Sequence, residues 1–124
     1  MIATILMCAT LTAVDGDTVR CDGQLMRLLG GGVPFVSGID TPEIGSHAKC
    51  LKERKLALIA KGRLKELLAE RGLQVAFSGA FDKTPSHRPL INIYRANGEE
   101  IGQKLLWEGF ARVWRPKQRN DWCS

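Results

Sequence analysis

Carboxylate and arginine residues suited to phosphate chemistry occur at separated positions along the sequence. They are Asp17, which follows an Asp-Gly pair, Arg27 within an apolar run, Asp40 and Glu43 of the segment Asp-Thr-Pro-Glu, and Arg88 before a second apolar run. Carboxylates can bind a hard cation, arginines can stabilise charge on phosphoryl oxygens, and a glutamate can accept a proton from water. Together these groups supply what hydrolysis of a phosphodiester requires.

Each motif by itself also has a structural interpretation. Asp-Gly pairs form turns in many proteins, and an acidic residue after proline often begins a helix. Arg27 needs a polar partner only if its side chain points inward. The chemical interpretation therefore depends on the fold bringing these residues together.

The composition is that of a small, basic, globular protein. The chain has 124 residues, of which 44% are hydrophobic and 25% charged, and its net charge is +5. This length fits one domain, predicted over residues 1–124. The charge favours an anionic partner such as nucleic acid, although many basic domains bind none. No apolar run approaches the ~18 residues that span a bilayer, so we expect no membrane partner.

The cysteines and the N-terminal segment bear on the cellular compartment. Four cysteines occur without a CxxC pair, so either free thiols or a disulfide from Cys123 to an earlier cysteine fits the sequence. Residues 1–13 lack the basic start of a secretory signal and are predicted as strand. The protein is expected to be secreted or periplasmic if a signal has been removed, and cytoplasmic otherwise.

The hydrophobic pattern predicts a mainly β protein with two helices. Between Lys49 and Arg71 the apolar residues of one helical face are Leu56, Ala60, Leu64, Leu67 and Leu68, with Lys, Arg and Glu elsewhere, and Gly72 follows. The eight basic residues of this helix indicate a solvated face or a nucleic-acid track. A short helix with Ile101, Leu105 and Leu106 ends at Gly109. Strands are predicted over residues 10–14, 18–21, 25–29, 73–77 and 90–94, with an extended piece at 110–114. The first two strands form a hairpin at the Asp15-Gly16 turn, and a second turn at Asp22-Gly23 leads into the third. This order, with the long helix between strands 3 and 4 and the short helix after strand 5, is typical of a five-stranded Greek-key OB-fold barrel.

Five motifs, in order, resemble the staphylococcal nuclease (thermonuclease) family. They are VDGDTVR, MRLLG, IDTPE, DK…HRPLINIY and WEGFARV, spread over roughly residues 10 to 115. Members are OB-fold enzymes that use Ca²⁺ to cleave DNA and RNA. The resemblance implies that Asp17, Asp40 and the backbone carbonyl of Thr41 bind calcium and that Glu43 is the general base. It likewise implies that Arg27 and Arg88 bind the phosphate and stabilise the transition state, and that Lys83 contacts a terminal phosphate.

The sequence departs from the family pattern in three places. Residues 31–38 form an insertion between Arg27 and Asp40, and we expect a bulged loop that leaves both ends in place. The loop after Lys83 is longer and lacks the family's tyrosine, so Trp114 is the candidate for base stacking, with core packing as its alternative role. The family's last helix is absent, and only a short tail, residues 116–124, follows the last extended piece. A disulfide from Cys123, for which Cys50 is a candidate partner, would attach this tail.

The sequence thus predicts a monomeric, calcium-dependent nuclease that prefers single strands. Mn²⁺ or Mg²⁺ also suit a site made of oxygen ligands. The alternative is an inactive OB-fold module that binds nucleic acid or a protein.

Overall fold

The protein is mainly β, with a curled six-stranded sheet, a two-stranded sheet and two α-helices. A computed structural model describes residues 4–124, so the part of the predicted first strand before Thr4 lies outside the described residues. The helices are α1 (Leu51–Leu68) and α2 (Ile101–Trp107). The strands are β1 (Thr4–Leu6), β2 (Leu11–Ala13), β3 (Thr18–Cys21), β4 (Gln24–Leu28), β5 (Gly38–Asp40), β6 (Gln74–Phe81), β7 (Pro89–Tyr94) and β8 (Arg112–Trp114).

The connection between β1 and β2 shows why the large sheet curls. The strand order is β1-β6-β7-β4-β3-β2, so β1 and β2 lie at opposite edges although only residues 7–10 separate them. Such a short connection spans at most about 18 Å, which brings the two edges towards each other. A disulfide between Cys8 in this connection and Cys21 at the end of β3 holds the curl.

The register of the sheet agrees with the predicted hairpins. β2, β3 and β4 pair antiparallel in succession, as do β6 and β7, whereas β4 and β7 are parallel, with Arg27 opposite Leu90. In the second sheet β5 pairs with β8, which places Asp40 opposite Arg112. Among residues 4–124, no helix is long and apolar enough to cross a membrane.

The structure has more strands than the five predicted. Each predicted strand is present, but residues 1–13 are interrupted at 7–10, and the strand predicted over 73–77 extends to Phe81. The additional strand β5 begins at the last residue of the inserted segment. It has three residues, which are too few to show an alternating hydrophobic pattern in the sequence. Since β5 precedes α1, the long helix follows the fifth strand of the complete order rather than the third.

Helix α1 packs on the core through a face that differs from the predicted one. Ala60, Leu64 and Leu67 are buried as expected, but Leu56 is only half-buried and Leu68 likewise. Glu53, expected at the solvated surface, is buried instead. The reason is local: Glu53 follows the N-cap residue Cys50 by three positions, where a carboxylate can accept hydrogen bonds from free backbone amides.

A second disulfide fixes the C-terminal tail to the start of α1. Cys50 and Cys123 are bonded, with their Cα atoms 6.1 Å apart. Of the two alternatives that the sequence left open, free thiols or a disulfide from Cys123, the structure has the disulfide. Trp122 is buried beside it, and the Arg112 guanidinium lies 4.1 Å from the centre of the indole ring. The tail therefore packs against β8 and reaches the segment that carries Asp40.

Candidate active site

An ion pair between the buried Asp17 and the half-buried Arg27 lies at the centre of the predicted site. Asp17 precedes β3 at the end of the predicted Asp-Gly turn. A Cβ on Gly16 would lie 2.8 Å from Thr41 Cβ, so this turn packs tightly only because residue 16 is glycine. Arg27 Nη2 lies 3.3 Å from Asp17 Oδ2 and donates to the Ile39 carbonyl at 2.8 Å. The inserted segment therefore leaves Arg27 next to the residue that precedes Asp40, as expected.

The environment of Asp17 keeps it ionised. The carboxylate accepts hydrogen bonds from the Thr18 hydroxyl and the Thr41 backbone N–H. Burial alone would raise its pKa, but the Arg27 charge and these hydrogen bonds hold the pKa of Asp17 below its usual range. Asp17 is thus a buried anion with one cationic partner.

Thr18 connects the two predicted arginines. Its hydroxyl donates to Asp17 Oδ1 at 3.1 Å and accepts from Arg88 Nη1 at 3.1 Å. Arg88 also donates from Nε to Asp82 Oδ2 at 2.6 Å, and its backbone N–H donates to Asp82 Oδ1. A continuous chain of polar contacts therefore runs from Arg88 through Thr18 and Asp17 to Arg27.

Asp40 and Glu43 complete a group of carboxylates. Burial raises the pKa of Asp40, and the charge of Asp17 adds to this effect. A hydrogen bond from Asn120 lowers the pKa of Asp40 but does not cancel the rise. Partial desolvation and the charges of Asp17 and Asp40 raise the pKa of Glu43. Burial and the adjacent Asp17 raise the pKa of Asp15 to about 7. Burial is the largest cause of all three shifts, and the charge of Asp17 adds to each.

The possible metal-binding atoms of this group are oxygens, which suit a hard cation. Two carboxylates, Asp17 and Asp40, interact electrostatically, and Thr41 follows Asp40 directly. Within residues 4–124, no three His, Cys, Asp or Glu side chains are grouped closely enough to bind an ion on their own. A cation here would therefore need a backbone carbonyl and waters in addition to the carboxylates, as the Asp17, Asp40 and Thr41 set implies.

A cavity of about 440 Å³ lies next to this group. Arg27 and Arg88 line it, and so do the two predicted substrate-binding residues, Lys83 and Trp114. Its remaining wall is largely apolar. Asp17, Asp40, Thr41 and Glu43 do not line the cavity. The predicted residues therefore form two adjoining parts, a cavity with cationic groups and a carboxylate cluster beyond Arg27.

Three residues of this region are not predicted by the sequence analysis. Phe35 of the inserted segment lines the cavity. Glu53 accepts hydrogen bonds from the backbone N–H groups of Glu43 and Lys49, both at 2.9 Å. Asn120 donates to Asp40 Oδ2 at 3.2 Å. Only Glu53 has a sequence signal, its position three residues after a helix start.

No family model matches this chain, and no curated protein matches it either.

Proposed function

We propose that the protein is a metal-dependent nuclease of the staphylococcal nuclease type, hydrolysing phosphodiester bonds of DNA or RNA. The observation that carries this proposal is the polar chain from Arg88 through Thr18 and Asp17 to Arg27, with both guanidinium groups lining one cavity. Two arginines at one cavity are suited to a bound phosphate, because each presents several donors in a fixed plane.

The strand order supports an OB-type barrel as the finer description of the fold. The five predicted strands correspond to β2, β3, β4, β6 and β7, which adjoin one another in the order β2-β3-β4-β7-β6. The parallel β4–β7 pair and the long helix before β6 fit a Greek-key barrel, and β1 would complete it by pairing with β6.

In the proposed reaction each side chain has a separate task. Arg27 and Arg88 hold the phosphate and stabilise the negative charge that develops on its oxygens. Glu43 accepts a proton from the water that attacks phosphorus. A calcium ion held by Asp17, Asp40 and the Thr41 carbonyl would add positive charge to stabilise the transition state, and Mn²⁺ or Mg²⁺ suits the same oxygen donors.

Glu53 acts in this scheme as a positioning residue. Its two carboxylate oxygens hold the backbone amides at positions 43 and 49, which fixes the segment between β5 and α1. Since every proposed group comes from one chain, we expect a monomer to be active. The two disulfides fit an oxidising compartment, as in a secreted or periplasmic protein.

The test is cleavage of denatured DNA with Ca²⁺, Mn²⁺ or Mg²⁺ and with excess chelator. Arg27→Lys is expected to lower the rate about 100-fold or more, because lysine cannot reproduce the planar set of donors. Arg20→Lys is the matched control, since Arg20 is exposed on β3, does not line the cavity and donates to the Gly23 carbonyl at 3.4 Å. A chelator-resistant activity, or equal rates for the two variants, would contradict the proposal.

A second candidate function is a module that binds nucleic acid or a protein without cutting. Its supporting observation is that the Arg88 guanidinium already pairs with Asp82 at 2.6 Å, which reduces its capacity to hold a phosphate. This alternative predicts oligonucleotide binding that is unaffected by chelation, with no cleavage product under any of the three cations. Circular dichroism of the same sample would establish that the tested protein is folded.

A further inference from the structure

The inserted segment, residues 31–38, places an aromatic ring at the cavity. Phe35 lines the cavity while 43% of its surface remains exposed. Its φ angle is +67°, a left-handed conformation that bulky side chains rarely adopt. An exposed phenylalanine in an unfavourable backbone conformation gains little from packing, so its position needs another explanation.

The contacts of the inserted segment hold it in a defined position. The Gly31 N–H donates to Asn92 Oδ1 at 2.8 Å, which ties the start of the segment to β7. The Val33 N–H donates to Ser37 Oγ at 3.1 Å, and backbone hydrogen bonds from Val36 and Ser37 to the Val33 carbonyl close the turn. These hydrogen bonds fix the segment as part of the cavity wall, with Phe35 in the lining.

Groups that can bind phosphate lie close to this ring. Lys83 Nζ lies 4.7 Å from the centre of the Phe35 ring, a cation–π distance. Lys83, Arg27 and Arg88 line the same cavity, and Trp114 provides a second aromatic side chain there. A nucleotide whose phosphate contacts these cations would therefore have aromatic surface within reach of its base.

We propose that Phe35 is a specificity-determining residue that stacks on the base of a nucleotide whose phosphate is bound by the cavity arginines. A base inside a duplex is already stacked and paired, so only an unpaired base can use this ring without the cost of being unstacked. The inserted segment thus selects single-stranded nucleic acid. This inference rests on the proposed function and names the residue that would produce the predicted preference for single strands.

The test separates base contacts from phosphate contacts. Binding of a thymidine octamer and of an octamer with the same sugar-phosphate backbone but no bases is measured by fluorescence anisotropy, with chelator present to prevent cleavage. Phe35→Ala is expected to weaken binding of the thymidine octamer roughly 5- to 100-fold, the range for loss of one base–aromatic contact. Binding of the abasic octamer is expected to change less than about twofold by the same reasoning.

Two further variants complete the design. Phe35→Trp should retain most of the affinity for the thymidine octamer, because it keeps a flat aromatic surface. Val33→Ala is the matched control, since Val33 is exposed in the same segment but does not line the cavity. Alanine tolerates a positive φ at least as well as phenylalanine, so Phe35→Ala is expected to fold, as circular dichroism would verify.

Each outcome decides the inference. If Phe35→Ala weakens binding of both octamers equally, Phe35 acts through Lys83 or through the segment itself, and base stacking is overturned. If Phe35→Ala weakens binding of neither octamer, base stacking is overturned as well. If the unaltered protein cleaves denatured DNA with a metal ion and Phe35→Ala leaves octamer binding unchanged, the inference fails while the nuclease proposal stands. If the unaltered protein neither cleaves DNA nor binds either octamer, both fail.

Discussion

Breaking the Cys50–Cys123 disulfide should reveal how much of the stability depends on attachment of the tail. The two residues are 73 apart in sequence, whereas Cys8 and Cys21 are 13 apart. A cross-link that closes a longer loop removes more conformational freedom from the unfolded chain. The suitable variant is Cys50→Ser with Cys123→Ala. Serine is a strong N-cap residue, so it keeps the acceptor that Cys50 Sγ offers to the Glu53 N–H.

The expected loss follows from the loop length. With the chain-entropy relation, a loop of 73 residues corresponds to about 4.4 kcal/mol at 25 °C, and one of 13 residues to about 2.9 kcal/mol. For a chain of 124 residues a loss of this larger size lowers Tm by about 15 °C.

Urea unfolding followed by tryptophan fluorescence would measure the change. The free energy of unfolding should fall by about 4 kcal/mol. The m value should rise, because the unfolded chain expands without the cross-link. Asn120→Ala is the control, since it removes the tail's contact with Asp40 but keeps the disulfide, and we expect it to lose about 1 kcal/mol. A loss below about 1 kcal/mol for the double variant, or equal losses for the double variant and Asn120→Ala, would refute the loop-entropy reasoning.

Four further substitutions test local packing and buried charge. Glu53→Gln should destabilise the protein by about 1–3 kcal/mol in urea unfolding and lower any nuclease rate, because one amide oxygen cannot serve both backbone N–H groups that the carboxylate holds; an unchanged rate would remove its positioning role. Burial raises the pKa of Glu100, so the folded state keeps a proton that the unfolded state has lost, and the free energy of unfolding should fall as pH rises from about 4.3 through the raised pKa. Glu100→Gln should abolish that part of the pH profile, and an identical slope in both proteins would contradict the assignment. Gly102→Ala should lower the stability by about 1–3 kcal/mol, because its Cβ would lie 2.5 Å from Gly30 Cα, whereas Gly62→Ala, in an open part of α1, should raise it by about 0.5–1 kcal/mol; thermal unfolding that gives both the same sign would refute the argument.

The sequence was most informative where a long periodic pattern met a clear stop signal. The helix predicted over 49–71 is observed at Leu51–Leu68, because leucine and alanine recur at three- and four-residue steps along it and Gly72 follows it, although Leu56 and Leu68 of the predicted face are only half-buried. The predicted hairpin around Asp15-Gly16 is present for a comparable reason, since adjacent residues form it. Local patterns of this kind are visible in one sequence without knowledge of distant contacts.

The parts that could not be predicted depend on contacts between distant residues. Asn120 reaches Asp40 across 80 positions, and no local pattern marks either residue as the other's partner. The ring of Phe35 reaches the cavity through a positive φ angle in a segment without periodicity. The placement of the carboxylates beyond Arg27, outside the cavity, likewise results from how β4 and β5 approach each other.

The arrangement of the two disulfides also sets an order in time. The bonds enclose separate stretches of chain, so a chain that emerges from its N-terminus can oxidise Cys8 and Cys21 while the rest is still being made. At about 5–20 residues per second, the 73 residues that follow Cys50 up to and including Cys123 take roughly 4–15 s to be made. Disulfide formation itself takes seconds or longer, so during this interval Cys50 is a thiol open to mispairing unless the first pair has already closed. If the Cys8–Cys21 bond forms early, Cys123 is the one thiol left for Cys50 to pair with. The order of the cysteines along the chain then favours the correct pairing during synthesis.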